Sequence, residues 1–356
     1  MLNLFKLFNA FERHVSPVEI QKDVCTRLKS TASTCTLCMD NCPSNSISIT
    51  ATEIQKTNCM ECGICGIVCP TNAFSWKHPS FKRMLEQAEL QFVDEGRVYI
   101  YCSNQLFSEP VTGVKVPCLA AIPWEVWMSM LVSYPSLSIY LPEGSCQTCE
   151  VTTGEQIWSE QLGRAEALCQ KKVTRSLSIE KTNRDNSYDS SRRQFLQLAF
   201  HELRESGKEV IKEYLGETPN QRLAEIPEIS EEIRKKKAEF VEKILKESRY
   251  SYVERRKILM HQLKQDQELM QRTIVKLPVI NDSCDRCGAC AILCPTQALR
   301  MVESENGVGR EIRLQPVTCV ECGLCEEVCW EKNISLKEHP ADVLFQSETS
   351  LAYINC

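Results

Sequence analysis

Three stretches place four cysteines at one fixed spacing: NCMECGICGIVCPTNAF (58–74), SCDRCGACAILCPTQAL (283–299) and TCVECGLCEEVCWEKNI (318–334). Each reads C-x2-C-x2-C-x3-C, with Gly63, Gly288 or Gly323 directly after the second cysteine. Thiolates this close in sequence do not bridge one another comfortably. Three of them on one tight loop instead converge on three corners of a 4Fe-4S cube, and the fourth, just beyond, points away to complete another cube. The glycines suit backbone that passes close to a cube or takes positive φ. The stretch STCTLCMDNCP (33–43) is a fourth copy with a piece missing. Cys35, Cys38 and Cys42 keep the spacing, but Ala32 stands where the first thiolate is expected.

The copies fall into two pairs, one near each end of the chain, and each pair resembles a bacterial two-cluster ferredoxin. Under the crossed ligand rule the C-terminal pair is complete: Cys284, Cys287, Cys290 and Cys329 hold one 4Fe-4S cluster, and Cys294, Cys319, Cys322 and Cys325 the other. Near the N-terminus, Cys42, Cys59, Cys62 and Cys65 form a third set. Cys35, Cys38 and Cys69 form a fourth that wants one more ligand. Nine residues separate Cys25 from Cys35 in DVCTRLKSTASTC, and a loop of that length folds back at modest entropic cost. Some ferredoxin-like carriers have a similar long first spacing with a basic residue inside it, as Arg27 is here. Cys25 is therefore the expected fourth ligand; the alternative is a 3Fe-4S site with Cys25 a buried free thiol. The remote ligands are followed by Pro43, Pro70 and Pro295, with Trp330 in that place in the last copy. Apolar residues between ligands (Ile64, Ile67, Val68; Ala289, Ile292, Leu293; Leu324, Val328) are expected to exclude water and so tune potential.

Residues 96–169 read differently. RVYIYC, VKVPC and LSIYLPEGSC are short β-rich runs that close at or near a cysteine, and PWEVWMSMLVSY between them reads as a buried helix. Strands alternating with helices imply a parallel sheet whose carboxyl ends line one rim. Cys102, Cys118, Cys146 and Cys149 would converge there, as a set for a 2Fe-2S cluster, for tetrahedral zinc, or for no metal at all. VKVPCLAAIP followed by GSCQTCEVTTGEQIWSEQLGRAE resembles the methyl-viologen-reducing hydrogenase delta subunit family. That resemblance implies a 2Fe-2S centre on these four cysteines and electron transfer between hydrogenase and heterodisulfide reductase modules.

The fold class expected is α+β multidomain. A dicluster ferredoxin domain (1–90) precedes a small parallel-sheet α/β domain (91–170), a charged helical linker (171–275) and a second dicluster domain (276–356). In the linker Ile226, Ile229, Ile233, Phe240, Val241, Ile244 and Leu245 recur at helical spacing, with EEIRKKKAEF on the solvated face. SRRQFLQLAF resembles a twin-arginine export motif but sits near residue 191 and is followed by HELRESGKE, so it reads as helix-surface charge. The N-terminal MLNLFKLFNAFERH is short and amphipathic and lacks the apolar core of a secretory signal. No run of about 18 uninterrupted apolar residues spans a membrane. Twenty-two cysteines in a 356-residue chain without visible export point to metal in a reducing cytoplasm rather than disulfides.

The net charge of −5 argues against nucleic acid as a partner. The five histidines (His14, His78, His201, His261, His339) show no metal spacing, and Cys169 and Cys356 remain ordinary thiols. There is no dinucleotide fingerprint, P-loop or nucleophile–histidine constellation. The expected function is an electron-transfer subunit that relays single electrons in anaerobic metabolism. Its partners would be a hydrogenase, a flavoprotein, a molybdopterin oxidoreductase or a heterodisulfide-reductase-like complex. A thiol reductase built on the middle cysteines is the alternative, and a cluster-based redox sensor or assembly factor is a weaker third.

Overall fold

A computed structural model of the chain describes residues 18–76, 80–103, 113–176, 251–303 and 310–354. The amphipathic stretch at 1–14, the export-like segment, the apolar positions between Ile226 and Leu245, and Cys356 lie outside the described residues. All described residues belong to one of two units, Met1–Ile179 with Lys246–Cys356; the other is Glu180–Leu245. Among the described residues, no helix is long and apolar enough to cross a membrane.

Near the N-terminus two antiparallel pairs frame the cysteine loops. Val18–Ile20 (β1) pairs with Phe74–Trp76 (β4), and Ile47–Ile49 (β2) with Ile54–Lys56 (β3). Each strand begins with a residue that is buried, and this small set joins Val24, Ala73 and Phe74 in a core of its own around Cys25, Cys38 and Cys69.

The middle is a parallel sheet in the order β6-β5-β7-β8, made of Val98–Cys102 (β5), Val114–Val116 (β6), Leu137–Tyr140 (β7) and Thr174–Ser176 (β8). The three cysteine-closing runs supply β5, β6 and β7. The fourth strand comes from the polar stretch after residue 170, whose sequence TRS carries no strand signal. The central β5 has its first four residues buried, as a strand of a parallel sheet covered on both faces does. Helix Phe81–Glu95 packs on β5 and β6 through Phe81, Met84, Ala88 and Gln91, one stripe at helical spacing. Ser80 caps its start by accepting from the Arg83 N–H at 3.3 Å, and Gly96, at φ 69°, ends it. Helix Trp124–Ser133 is mostly apolar and buried nearly all round, with Glu125 and Ser129 as its buried polar residues. It packs against helix Gly154–Cys169.

The C-terminal module repeats the N-terminal plan with longer strands. Ile274–Ile280 (β9) pairs with Ile334–Pro340 (β12), and Leu299–Glu303 (β10) with Arg310–Leu314 (β11), which Thr349–Ile354 (β13) extends to three strands.

The end of the expected linker is a structural member. Helix Ser251–Gln265 buries Ile258, Leu259 and Leu263 and packs on helix Trp124–Ser133, with Gln262 donating to the Ser129 hydroxyl at 3.0 Å. Three consecutive residues of that helix each hold a different part of the protein. The Glu254 carboxylate accepts the Lys82 N–H at 3.0 Å in the first turn of helix Phe81–Glu95, where negative charge suits the helix dipole. Arg255 forms a two-nitrogen fork on the buried Glu125 and donates to the Ile67 carbonyl at 3.3 Å. Arg256 donates to the Cys319 carbonyl and pairs with Glu321 at 3.6 Å.

Arg255→Leu leaves Glu125 a buried, unpaired carboxylate and is expected to cost about 3–5 kcal/mol, read from the urea midpoint. Adding Glu125→Leu should recover most of that loss, since two apolar groups then replace the pair; no recovery would mean that the pair is not what the helix contributes.

Candidate metal centres

Each complete motif builds its loop from two residues in the left-handed region. Glu61 (φ 56°), Arg286 (φ 61°) and Glu321 (φ 59°) follow two residues after the first cysteine, and Gly63, Gly288 and Gly323 (φ 83°, 76° and 75°) follow the second. This turns backbone N–H groups toward sulfur: Glu61 N to Cys59 Sγ at 3.4 Å and Arg286 N to Cys284 Sγ at 3.3 Å, with the Glu321 N–H on Cys319 in the same way. A side chain at Gly288 would also drive its Cβ to 1.9 Å from Met301 Cε. Short helices, Ile64–Val68, Ala289–Ile292 and Leu324–Glu327, then carry the third cysteine of each motif.

A second turn recurs after the remote cysteines. Asn45, Asn72, Gln297 and Lys332, each three residues beyond, all have positive φ. The next N–H points back at the thiol: Ser46 to Cys42 at 3.3 Å, Ala73 to Cys69 at 3.3 Å and Asn333 to Cys329 at 3.2 Å. The incomplete copy obeys this rule at Cys42, although its sequence lacks the first cysteine.

Cys25 takes the missing position in local geometry. It closes a 3-10 turn, Lys22–Val24, with φ −71° and ψ 122°; Cys319 closes the turn Pro316–Thr318 with φ −72° and ψ 125°. The Arg27 and Leu28 N–H groups donate to Cys25, as the Glu61 N–H does to Cys59. Its thiol lies within electrostatic reach of Cys69 and Cys35.

Mutual repulsion between thiolates sorts the rest. Cys38 is opposed by Cys69, Cys35 and Cys25; Cys62 by Cys59 and Cys42; Cys65 by Cys62, Cys59, Cys38 and Cys42. In the C-terminal module Cys290 is opposed by Cys284, Cys287 and Cys329, and both Cys322 and Cys325 by Cys319 and Cys294. The members of each crossed set expected from spacing lie within electrostatic reach of fellow members, and Cys290 also reaches Cys325 from the adjoining set. Burial first, and like neighbours second, push the thiols up: Cys38 and Cys322 to about 12, and Cys290 to about 11. Burial acts on Cys42 too, but the Ser46 N–H and the Ser44 hydroxyl outweigh it and bring that thiol below its ordinary value. Buried, crowded thiols with N–H donors aimed at them suit a cationic centre, because bound iron deprotonates them outright. Among the described residues, no three or more His, Cys, Asp or Glu side chains are arranged around a single metal ion.

The four middle cysteines share one cavity of about 450 Å³ at the carboxyl ends of the parallel strands. Cys102 ends β5, Cys118 follows β6, and Cys146 and Cys149 lie in the turns after β7. Cys118 is opposed by Cys102 and Cys146, and burial pushes it up to about 12. The buried indole N–H of Trp158 finds no nitrogen or oxygen acceptor and is directed at the Cys146 sulfur. Such a donor fits a thiolate or an inorganic sulfide in the cavity.

Some expectations change. Ile292, expected to shield a cluster, is 71% exposed, and Trp330 is 92% exposed. Cys287 is the exposed member of its set, whereas Cys25, Cys38 and Cys69 are buried. Cys169 sits apart from the sets, half-buried, with Met128 O at 4.0 Å. The donors at Trp158 and Arg256 carry no sequence signal, since an isolated tryptophan and an arginine doublet on a charged helix read as core and surface.

Residues 52–75 match a 4Fe-4S binding domain and residues 283–333 a 4Fe-4S dicluster domain. No curated protein and no solved structure matches the chain. The chain therefore carries 4Fe-4S ferredoxin-type domains toward both ends, separated by a parallel sheet. Such domains suggest an iron–sulfur electron-transfer role.

Cys25→Ala is expected to lower iron content and leave a 3Fe-4S signal in the oxidised protein, while Cys169→Ala leaves iron unchanged; equal iron in both would remove Cys25 from the set. Because cluster assembly displaces protons from thiols held above their ordinary range, iron and sulfide incorporation should fall as pH is lowered through the thiol range. Incorporation that is flat or rises toward acid would contradict thiolate ligation.

Proposed function

We propose that the protein is an electron-transfer subunit holding four 4Fe-4S clusters and one 2Fe-2S cluster. The single observation that carries this reading is that each remote cysteine lies within electrostatic reach of the other motif's cysteines. Cys25, Cys35, Cys38 and Cys69 would hold one cube and Cys42, Cys59, Cys62 and Cys65 the next. Cys284, Cys287, Cys290 and Cys329 would hold the third, and Cys294, Cys319, Cys322 and Cys325 the fourth. Cys102, Cys118, Cys146 and Cys149 would hold the 2Fe-2S pair in a domain similar to the hydrogenase delta subunit family. The N–H donors tune these centres by favouring the more negative, reduced state. The complex served is an anaerobic oxidoreductase of hydrogenase, flavoprotein, molybdopterin or heterodisulfide-reductase-like type. The functional domains run over 1–90, 91–170 and 276–356, with 171–275 between them.

The open cavity around Cys146 and Cys149 supports a second reading, a thiol–disulfide reductase. Cluster ligation and nucleophilic thiols exclude each other at these positions, so one preparation distinguishes them. Protein purified without oxygen is expected to contain about 18 irons per chain, from four cubes and one pair, with matching sulfide and no zinc. It should resist alkylation at Cys146 and Cys149. About 16 irons with both cysteines alkylated would favour the reductase.

A further inference from the structure

The five cysteine sets are not arranged in chain order. The middle set touches the Cys42 set: Ala121 Cβ lies 2.8 Å from where a Cβ on Gly63 would stand, and the Thr153 hydroxyl donates to the Asn41 carbonyl at 2.9 Å. Gly63 and Asn41 adjoin Cys62 and Cys42, and Ala121 follows Cys118 by three residues. The Cys42 and Cys25 sets adjoin through Cys65 and Cys38. In the C-terminal module Cys325 and Cys290 adjoin in the same way.

The remaining join lies between the two ferredoxin-type modules. Val320, between Cys319 and Cys322, packs against the core that contains Cys25, Cys38 and Cys69. The Thr34 N–H donates to Glu327 Oε1 at 3.0 Å, and the Thr34 hydroxyl donates to the same oxygen. Thr34 precedes Cys35, and Glu327 follows Cys325 by two residues. Ile67, Val68 and Pro70, flanking Cys69, share a small cavity with Val320, Glu321 and the arginine pair. Arg255 and Arg256 hold this join from one helix, by the Ile67 and Cys319 carbonyls.

From these contacts we infer that the five sets form one linear relay, ordered Cys284 set, Cys294 set, Cys25 set, Cys42 set, middle set, and that Arg255 and Arg256 are positioning residues for its central junction. The inference rests on the ligand sets proposed above. The ends are where partners reach: exposed Cys287 at one and the open cavity of the middle domain at the other, with Cys25, Cys38 and Cys69 buried at the centre. One electron taken from a reduced flavin or iron–sulfur protein at either end leaves to an oxidised protein of the same classes at the other. The chain returns to its starting state, with no bond made or broken.

The test is microwave-power saturation of the N-terminal module's EPR signal in the reduced, full-length chain, because a paramagnet relaxes faster when a second stands close by. Cys322→Ala removes a ligand of the Cys294 set, and the N-terminal signal should then saturate at lower power. Cys287→Ala, one set further away, should leave it as in the native chain. Native saturation in Cys322→Ala, in protein that keeps its N-terminal iron and whose iron count shows the Cys294 set emptied rather than converted to a 3Fe-4S centre, overturns the order. If Cys322→Ala does not fold, Arg256→Gln retains every ligand and loosens only the junction: saturation at lower power with unchanged iron supports the inference, and native saturation overturns it. Iron and sulfide counts come first. A native chain without 4Fe-4S signals sinks the ligand sets themselves, whereas full iron with unaltered saturation sinks only the relay order.

Discussion

A buried thiol among other thiols is a poor anion, and each ferredoxin-type module crowds eight cysteines into two sets of four. The backbone answers with donors. Residues in the left-handed region occur two positions after a first cysteine and three after a remote one, so that N–H groups face sulfur instead of solvent. This requirement explains the glycine after each second cysteine of the complete motifs, and at Gly288 the packing of Met301 reinforces it. It also explains why the strands are short. Their task is to bring two loops face to face so that each remote thiol reaches the other loop's set.

The N-terminal module keeps a small core of its own, against which Val320 of the C-terminal module packs. Support comes from helix Ser251–Gln265, at the end of a long charged stretch. Glu254, Arg255 and Arg256 project charged groups to backbone and side-chain partners in the middle domain and in both modules. Charged groups at such joins are directional, and partly buried pairs tolerate little displacement of either partner. Apolar packing by Leu259 and Leu263 supplies adhesion, while the triplet sets register.

The exposure of the sets differs along the molecule. The buried Cys25, Cys38 and Cys69 contrast with exposed Cys287 and with the open cavity of the middle domain. Burial and N–H donation both act on reduction potential. The sets therefore need not be equivalent even where their motifs are nearly identical. Cys42 and Cys38, four residues apart, are pushed in opposite directions by donors and by burial.

The sequence by itself determined the ferredoxin-type motifs toward both ends, because ligand spacing is local: C-x2-C-x2-C makes a loop, and the fourth cysteine lies just beyond it. The three parallel strands closing at cysteines were legible for a similar reason, since apolar runs ending at a rim carry their own pattern. Tertiary structure alone decided the rest. The polar strand Thr174–Ser176 is held by pairing with β7 rather than by propensity. Ile292 and Trp330, apolar by type, face outward because the short helices leave them no neighbour to pack on. Cys25 was already the expected ligand, and the likeness of its backbone dihedrals to those of Cys319 is what the nine-residue gap does not show. The roles of Arg255 and Arg256 were invisible because an arginine doublet on a charged helix looks the same whether it faces water or three other parts of the protein. Which neighbours meet across a junction depends on long-range packing, and no local spacing encodes that.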